Sequence, residues 1–406
     1  MHILLIHQAF SSLNEAGGTR HHEIASYLVQ KGHQVTIITS LISYLTGKDE
    51  TCETEGSIDP LSKKLTILHA YTYPALHRSF FHRVFSFISF MISSFFTALK
   101  VKDVDLIWGT TPPIFQGITS WLVARLKGVP FLFEVRDLWP AFAIQIGVLK
   151  NPIIIQASLW LEKFLYHRAD WVVVNSPGYI QHVTQRGARQ VKLIPNGADP
   201  DMFDPQSKGL AFRKQHGLEN KFIALYAGAH GISNDLDILL QAAEILRPNP
   251  NISIVLVGDG KEKTRLQEKA ELLGLKNVLF APPVPKNEMA QVLAAADTCI
   301  AILKPMDLYK TTFPNKVFDY FAAGRPVVLA IDGVIRNVVE KADAGFFVEP
   351  GNPQQMADAI LKLSSDPQMA CQMGFSGRKF IEENYNRRVL SDNMLSLMLE
   401  MRSQSD

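Results

Sequence analysis

Between residues 311 and 326 the chain reads Thr-Thr-Phe-Pro-Asn-Lys-Val-Phe-Asp-Tyr-Phe-Ala-Ala-Gly-Arg-Pro, and an apolar run, Val327 to Ile331, follows. A loop, a helix, a glycine stop and a buried strand account for that order. Pro314 suits a first helical position, where its missing N–H would be an orphan anyway. Gly324 stands where a left-handed residue ends a helix. The N–H groups of Asn315 and Lys316 then point out of the helix N-terminus beside the Lys316 ammonium, a combination that favours a phosphate. Asp319, one turn after Asn315 on the same face, is placed to accept hydrogen bonds from sugar hydroxyls. The alternative is a plain helix N-terminus in an α/β domain.

Other polar residues gather at predicted strand ends. Glu134-Val-Arg136-Asp137-Leu-Trp139-Pro140 lies at the carboxyl end of the apolar run from Pro130, the place where doubly wound domains bind ligands. Three charges leaving a buried strand are costly unless they are paired or face a cleft. An internal Arg–Asp pair that only fixes the loop is the structural alternative. Gly17 and Gly18, ahead of Thr19-Arg20, let backbone approach a ligand at a helix entrance. They lack the three-glycine spacing and acidic partner of a dinucleotide site, and a structural turn remains open. Asp103-Val-Asp105 precedes a strand instead of ending one, so it is not read as a metal-binding pair.

The elements that must position these residues follow in order. His2 to His7 and Val35 to Thr39 are strands, separated by a helix from Thr19 or Arg20 to about Lys31. Residues 41–64 are polar and read as a long surface loop. Asp105 to Gly109, Pro130 to Val135 and Trp171 to Asn175 are three further parallel strands, and Val191 to Pro195 is a short one. The pattern restarts with strands Phe222 to Ala227, Ile252 to Val257, Val278 to Phe280, Ala295 to Leu303 and Gly345 to Glu349. Strand–loop–helix repeats of this kind predict an α/β fold with doubly wound parallel sheets.

At 406 residues the chain is too long for one core and suggests two domains. The net charge of +2 hides an asymmetry: residues 1–190 carry 17 Lys/Arg against 13 Asp/Glu, and ten of the 12 histidines. That modest excess suits an acidic membrane surface or a pyrophosphate and excludes strong nucleic-acid binding. Cys52, Cys299 and Cys371 have neither pairing nor zinc-like spacing, which points to a reducing compartment. Met1-His2 opens directly into a strand, so no signal peptide is expected.

Phe80 to Leu99 is the most apolar stretch, and its uncharged run between Arg83 and Lys100 is shorter than the ~20 residues of a membrane span. At helical spacing His82, Ser86, Ser89, Ser93 and Thr97 form a polar stripe opposed by Phe81, Phe85, Ile88, Ile92 and Phe96. It reads as a helix buried on the sheet, or as one whose aromatic face touches lipid with Arg78, His82 and Arg83 at the headgroups.

The Gly-Gly-Thr-Arg, Arg-Asp-Leu-Trp-Pro and Pro-Asn-Lys-x-x-Asp-Tyr runs together resemble family 4 retaining glycosyltransferases, and within them the bacterial L-fucosamine transferase-like branch of capsule and O-antigen assembly. The resemblance covers nearly the whole chain. It implies the GT-B architecture, two doubly wound Rossmann-like domains facing a cleft. Residues 1–198 would form the acceptor-side domain, residues 199–386 the nucleotide-sugar domain, and a helix at about 387–406 would return to the first. The family carries two glutamates eight positions apart; here they fall on Thr311 and Asp319. Where many relatives have an Arg and a Lys for the pyrophosphate, this chain has His230 and Asn234. The resemblance thus implies a donor site of Gly17, Gly18, His230, Asn234, Pro283, Val284, Thr311, Thr312, Asn315, Lys316 and Asp319, with Pro283-Val284 at the base. Glu134, Arg136 and Asp137 would face the acceptor, Asp137 nearest the attacking hydroxyl. Lys316, Arg136 and Asp137 would carry catalysis.

The expected reaction is metal-independent transfer of a sugar with retention, without cofactor. The resemblance implies a UDP-linked amino-deoxy sugar such as N-acetyl-L-fucosamine as donor and a polyprenyl-pyrophosphate-linked saccharide as acceptor. It also implies a cytoplasmic protein peripheral to the inner face of the membrane. Two other classes stay open. A UDP-sugar 2-epimerase shares the fold but needs cleft carboxylates and a histidine to move a ring proton. A non-catalytic nucleotide-sugar-binding partner would fit the loss of glutamate at Thr311.

Overall fold

A computed structural model describes residues 1–15, 17–42, 64–74 and 80–404. The loop expected over 41–64 and the headgroup residue Arg78 lie almost wholly outside them. The chain forms two compact units. The first is Met1–Ser12, Gly18–Pro195 and Arg388–Asp406; the second is Leu13–Gly17 and Asn196–Arg387.

In the first unit the strands are β1 (His2–Ile6), β2 (Gln34–Thr39), β3 (Leu65–His69), β4 (Leu106–Thr111), β5 (Phe131–Val135), β6 (Trp171–Val174) and β7 (Val191–Leu193). They lie in the order β3-β2-β1-β4-β5-β6-β7, every pair parallel. β1, β4 and β5 are buried at every residue, as befits a parallel sheet covered on both faces. The final helix, Arg387–Ser403, adds Leu390, Met394, Leu397, Met398 and Met401 to a core shared with β1, β2 and the Arg20–Gln30 helix. Asp105 accepts from the backbone N–H of His2 at 2.6 Å and pairs with Arg402 at 3.2 Å, a structural tie at the start of β4. β3 has no counterpart among the expected strands. It is Leu65-Thr-Ile-Leu-His, a short and largely exposed edge strand directly after the polar stretch.

The second unit holds β8 (Phe222–Ala227), β9 (Ile252–Val257), β10 (Val278–Ala281), β11 (Thr298–Ile302), β12 (Val327–Ala330) and β13 (Gly345–Phe347). Their order is β10-β9-β8-β11-β12-β13, again all parallel. Each sheet therefore reverses its winding once, between β1 and β4 and between β8 and β11. Ligands of open parallel sheets bind outside the carboxyl ends of the strands at such a reversal.

Of the two readings of the Phe80–Lys100 helix, burial of the helix on the sheet is corrected, because its aromatic face is exposed. Ser86, Phe90, Ser94 and Ala98 are fully buried, while Phe81, Phe85, Ile92 and Phe96 are 72, 65, 51 and 60% exposed. Ser89 and Ser94 donate back to the helix carbonyls of Ser86 and Met91, which satisfies those two hydroxyls, whereas the Ser86 hydroxyl finds no partner among the described residues. Ser89 also accepts from the Tyr73 N–H and Ser93 donates to the Tyr71 carbonyl. By length and composition alone this helix, which holds an 18-residue stretch of mean hydropathy 1.3, could cross a membrane. Those hydrogen bonds instead fasten one of its faces to the first unit.

Candidate functional site

The Asn315–Ala322 helix sits beyond the reversal between β8 and β11. Pro314, with ψ 122°, is the residue before the helix and not its first, so Asn315 opens it and no side chain caps it. At the other end Gly324 takes φ +67°. The Gly324 and Arg325 N–H groups donate to the carbonyls of Phe321 and Tyr320, closing the helix with the left-handed turn expected of a glycine there.

Lys316, in the first turn, lays its ammonium 3.9 Å from the centre of the Tyr226 ring on β8. A Cβ on Gly228 would lie 2.7 Å from that nitrogen, and Gly228 has φ +149°, so the turn after β8 tolerates only glycine. No carboxylate pairs with Lys316 among the described residues. Burial lowers its pKa to about 7. The site thus presents an unpaired ammonium, two helix N–H groups and a bare glycine turn, which is what an anion of more than one charge requires.

His230 follows that turn but is fully enclosed, with neither ring nitrogen hydrogen-bonded among the described residues. Burial, aided by Lys263 and Lys316, lowers its pKa to about 4, so it is a neutral ring and supplies no positive charge. Asn234 ends a single turn, Ile232–Asn234, half-buried. Thr311 and Thr312 turn their hydroxyls onto the carbonyls of Leu308 and Tyr309. Pro283 is exposed after β10 and Val284 packs on the core.

Asp319 has a partner that sequence spacing does not reveal. Lys286 Nζ lies 2.6 Å from its Oδ2, and Asn315 Nδ2 donates to the same oxygen at 3.3 Å. Asn315 Oδ1 in turn accepts from Arg387 at 3.2 Å. Arg387 also donates to the Gly197 carbonyl, and Asn196 donates to the Phe313 carbonyl at 2.7 Å. The segments at which the chain enters the second unit, at Asn196, and leaves it, at Arg387, are therefore tied to the start of this helix.

In the first unit the Glu134-to-Asp137 run divides. Glu134 is inside β5, not leaving it, and is fully buried. It accepts from Arg20 Nε at 2.8 Å, His21 Nε2 at 2.7 Å and Trp108 Nε1 at 3.1 Å. Burial alone would raise its pKa, but Arg20 and His21 outweigh that and hold it well below the carboxylate range. This corrects its assignment as an acceptor contact: both its oxygens accept from buried partners and the side chain is fully enclosed. Arg20 goes on to the carbonyls of Ile194 and Pro195, both at 2.7 Å.

Arg136 stands at the reversal between β1 and β4, donating from Nε to the Thr111 carbonyl at 2.9 Å and from NH2 to His7 Nε2 at 2.8 Å. His7 is fully buried, and burial, with His21 and Arg136 nearby, keeps it neutral, as an acceptor from Arg136 must be. Asp137 is exposed. Desolvation by the surrounding protein raises its pKa against the pull of Arg136. Gly17 groups with the second unit and Gly18 with the first; a Cβ on Gly18 would meet nothing within 4 Å.

Sequence reasoning passes over Lys286, Arg387 and His7. A signal exists for one of them: a lysine opening a helix immediately after Pro-Val-Pro is in a position where cations are disfavoured.

Comparison with known proteins adds to this geometry. Residues 16–197 match the model of the glycosyl transferase 4-like domain and residues 210–380 that of glycosyl transferases group 1. A glycosyl transferase of Escherichia coli K12 named for colanic acid biosynthesis, WcaI, is 25% identical over 76% of this chain and 78% of its own length. A D-inositol 3-phosphate glycosyltransferase of Corynebacterium jeikeium is 28% identical, with 64% of each chain aligned, so the match spans less than two thirds of that relative. Among solved structures, sucrose-phosphate synthase from Thermosynechococcus elongatus superposes with a TM-score of 0.80 at 19% identity over 99% of both chains. Anabaena Alr3699/HepE in complex with UDP gives 0.73 at 18%, over 98% of this chain and 100% of that one. With two parallel Rossmann-like units and a glycosyltransferase model on each half, the chain is a transferase enzyme, a group 1 glycosyltransferase of the GT-B type.

Proposed function

We propose that this enzyme transfers a sugar from a nucleotide diphosphate, with retention and without a metal, to a polyprenyl-pyrophosphate-linked saccharide in surface polysaccharide assembly. The observation that carries the reading is Lys316: an ammonium without a carboxylate partner among the described residues, over the glycine turn at a topological reversal. Cleavage of the donor leaves negative charge on the β-phosphate. Fixed N–H dipoles of Asn315 and Lys316 and one ammonium stabilise that charge without needing a divalent ion. Asp319 receives ribose hydroxyls, and Pro283 and Val284 line the base. Asp137, exposed and with a raised pKa, meets the acceptor hydroxyl, and Arg136, held by His7 and Thr111, anchors the acceptor's sugar or phosphate. No enzyme nucleophile is named.

UDP is the proposed nucleotide, supported by the UDP complex of the Anabaena structure. The resemblance to L-fucosamine transferases favours N-acetyl-L-fucosamine or a related amino-deoxy sugar. Two similar proteins support a cell-surface glycan as product: the colanic acid relative, and WaaG, a superposing glycosyltransferase involved in lipopolysaccharide biosynthesis.

Calorimetric titration with UDP and with GDP, both in EDTA, is the direct test, followed by transfer assays with lipid-linked saccharide. Saturable UDP binding without metal, with sugar released only when acceptor is added, is expected. Turnover of the donor without acceptor would mean an epimerase instead, and binding of neither nucleotide would discard the donor site. Asp137→Asn should lower kcat by roughly 10²-fold or more while leaving UDP affinity within about twofold; an unchanged kcat would remove Asp137 from the acceptor site.

The exposed aromatic face of the Phe80–Lys100 helix supports peripheral contact with an anionic membrane, with Arg83 and Lys100 near its ends. In flotation with anionic vesicles, Phe85→Asp/Phe96→Asp is expected to cut the bound fraction about tenfold or more, since each phenylalanine buries an apolar side chain in lipid. Equal flotation of wild type and variant would place the membrane contact elsewhere.

A further inference from the structure

Lys286 occupies a position that general chemistry disfavours three times. It is a lysine with 7% of its side chain exposed, whereas lysines are almost never buried unpaired. It is the first residue of the Lys286–Ala295 helix, where the macrodipole repels a cation. And it follows Val284-Pro285, in a loop that closes against the core and has no need of charge. What offsets these costs is Asp319, 2.6 Å away and itself 14% exposed. Its ammonium also lies 5.5 Å from the centre of the Phe203 ring.

The Lys286 ammonium and the Asn315 amide converge on one oxygen, Oδ2. Asn315 cannot flip without losing both its bonds, because Arg387 donates to its Oδ1 while its Nδ2 donates to Asp319. The aspartate has one torsion fewer than a glutamate, and two donors on a single oxygen leave its carboxylate plane little freedom. A carboxylate held in this way can accept from an outside hydroxyl in only one orientation.

We infer that Lys286 is the positioning residue of Asp319: it does not touch the donor but fixes the carboxylate that recognises the ribose, and so sets the enzyme's discrimination for ribose hydroxyls. The inference rests on the proposal that Asp319 meets the ribose. It also joins the base-side loop ending at Pro285 to the helix that carries the phosphate site, through one ion pair.

The test is calorimetry of wild type, Lys286→Met and Lys286→Gln with UDP, 2′-deoxy-UDP and 3′-deoxy-UDP. Wild type should bind at least one deoxy nucleotide about 10- to 100-fold more weakly than UDP, the worth of a hydrogen bond to a charged group. In the variants that ratio should shrink to about threefold or less, a change that loss of general stability does not produce. Lys286→Gln keeps an N–H donor and similar volume, and carries the test should Lys286→Met not fold. Wild-type discrimination retained in full by the folded variants overturns the role of Lys286 alone. Wild type that binds UDP but ignores both hydroxyls removes Asp319 from the ribose and the inference with it. Wild type that binds no UDP overturns the donor reading itself.

Discussion

Lys316→Ala is expected to lower kcat/KM for the nucleotide-sugar by roughly 10²- to 10³-fold, the loss seen when one charge-stabilising donor is removed from a preorganised site. The effect is electrostatic. Among the described residues the ammonium has an aromatic face at 3.9 Å and no carboxylate, so in the free enzyme burial takes its pKa down to about 7. A bound pyrophosphate restores the charged form and raises that pKa. Above about pH 7 the free enzyme therefore carries fewer protons than the complex, and binding takes one up. Nucleotide affinity should fall as pH rises through 7 toward 9, by at most about tenfold per unit, and less if solvent screens this partly exposed side chain. In calorimetry at pH 8 the observed enthalpy should vary with the ionisation heat of the buffer. Lys316→Ala should abolish that variation, and Lys316→Arg, charged throughout, should keep affinity while flattening the pH profile. Identical pH profiles in wild type and Lys316→Ala would place the phosphate elsewhere.

What makes Lys316 legible in the sequence is punctuation. Proline at 314 and glycine at 324 bracket the helix, which must present its first-turn N–H groups near whatever Lys316 reaches. The bracket starts the helix one residue too early, because Pro314 fits equally before a helix and at its first position. Asp319 is legible as a carboxylate on the right face, but its partner is not. Lys286 lies 33 positions upstream, and only the stacking of the two strand–helix repeats brings it to 2.6 Å. The Phe80–Lys100 helix misleads for a different reason. Its apolar and polar stripes stand where the spacing puts them, yet the rule that the apolar stripe faces the core assumes water outside. Here the fully buried face is Ser86, Ser94 and Ala98 around one ring, Phe90, and Phe81, Phe85 and Phe96 stay outside. Glu134 reads as leaving its strand, although Phe131-Leu-Phe-Glu-Val is one buried run. An ionisable residue inside such a run already demands cations from elsewhere, and the Arg20 of Gly-Gly-Thr-Arg is that cation.

Glu134→Ala is accordingly expected to act on stability before it acts on catalysis. It leaves Arg20 buried, 4% exposed, without its carboxylate, and removes the acceptor from His21 and Trp108. Breaking a buried pair from one side costs about 3–5 kcal/mol, which for a unit of this size lowers its unfolding transition by roughly 6–20 °C. The same network gives the first unit an acid limit with a defined sign. His7 and His21 are held neutral, chiefly by burial, so their folded pKa values are depressed. As pH falls below about 6.5 the unfolded chain takes up protons that the folded one refuses, and stability drops. Glu134, whose folded pKa is also depressed, adds a contribution that is present above about pH 4 and is lost at still lower pH. Glu134→Gln separates the structural role from an acceptor role. A structural carboxylate predicts a lower transition temperature, with kcat near wild type at temperatures where the protein stays folded. A contact to the acceptor predicts the reverse, a fall in kcat with the transition unmoved. With Arg20, His21 and Trp108 all directed at Glu134 inside the core, the first outcome is the expected one.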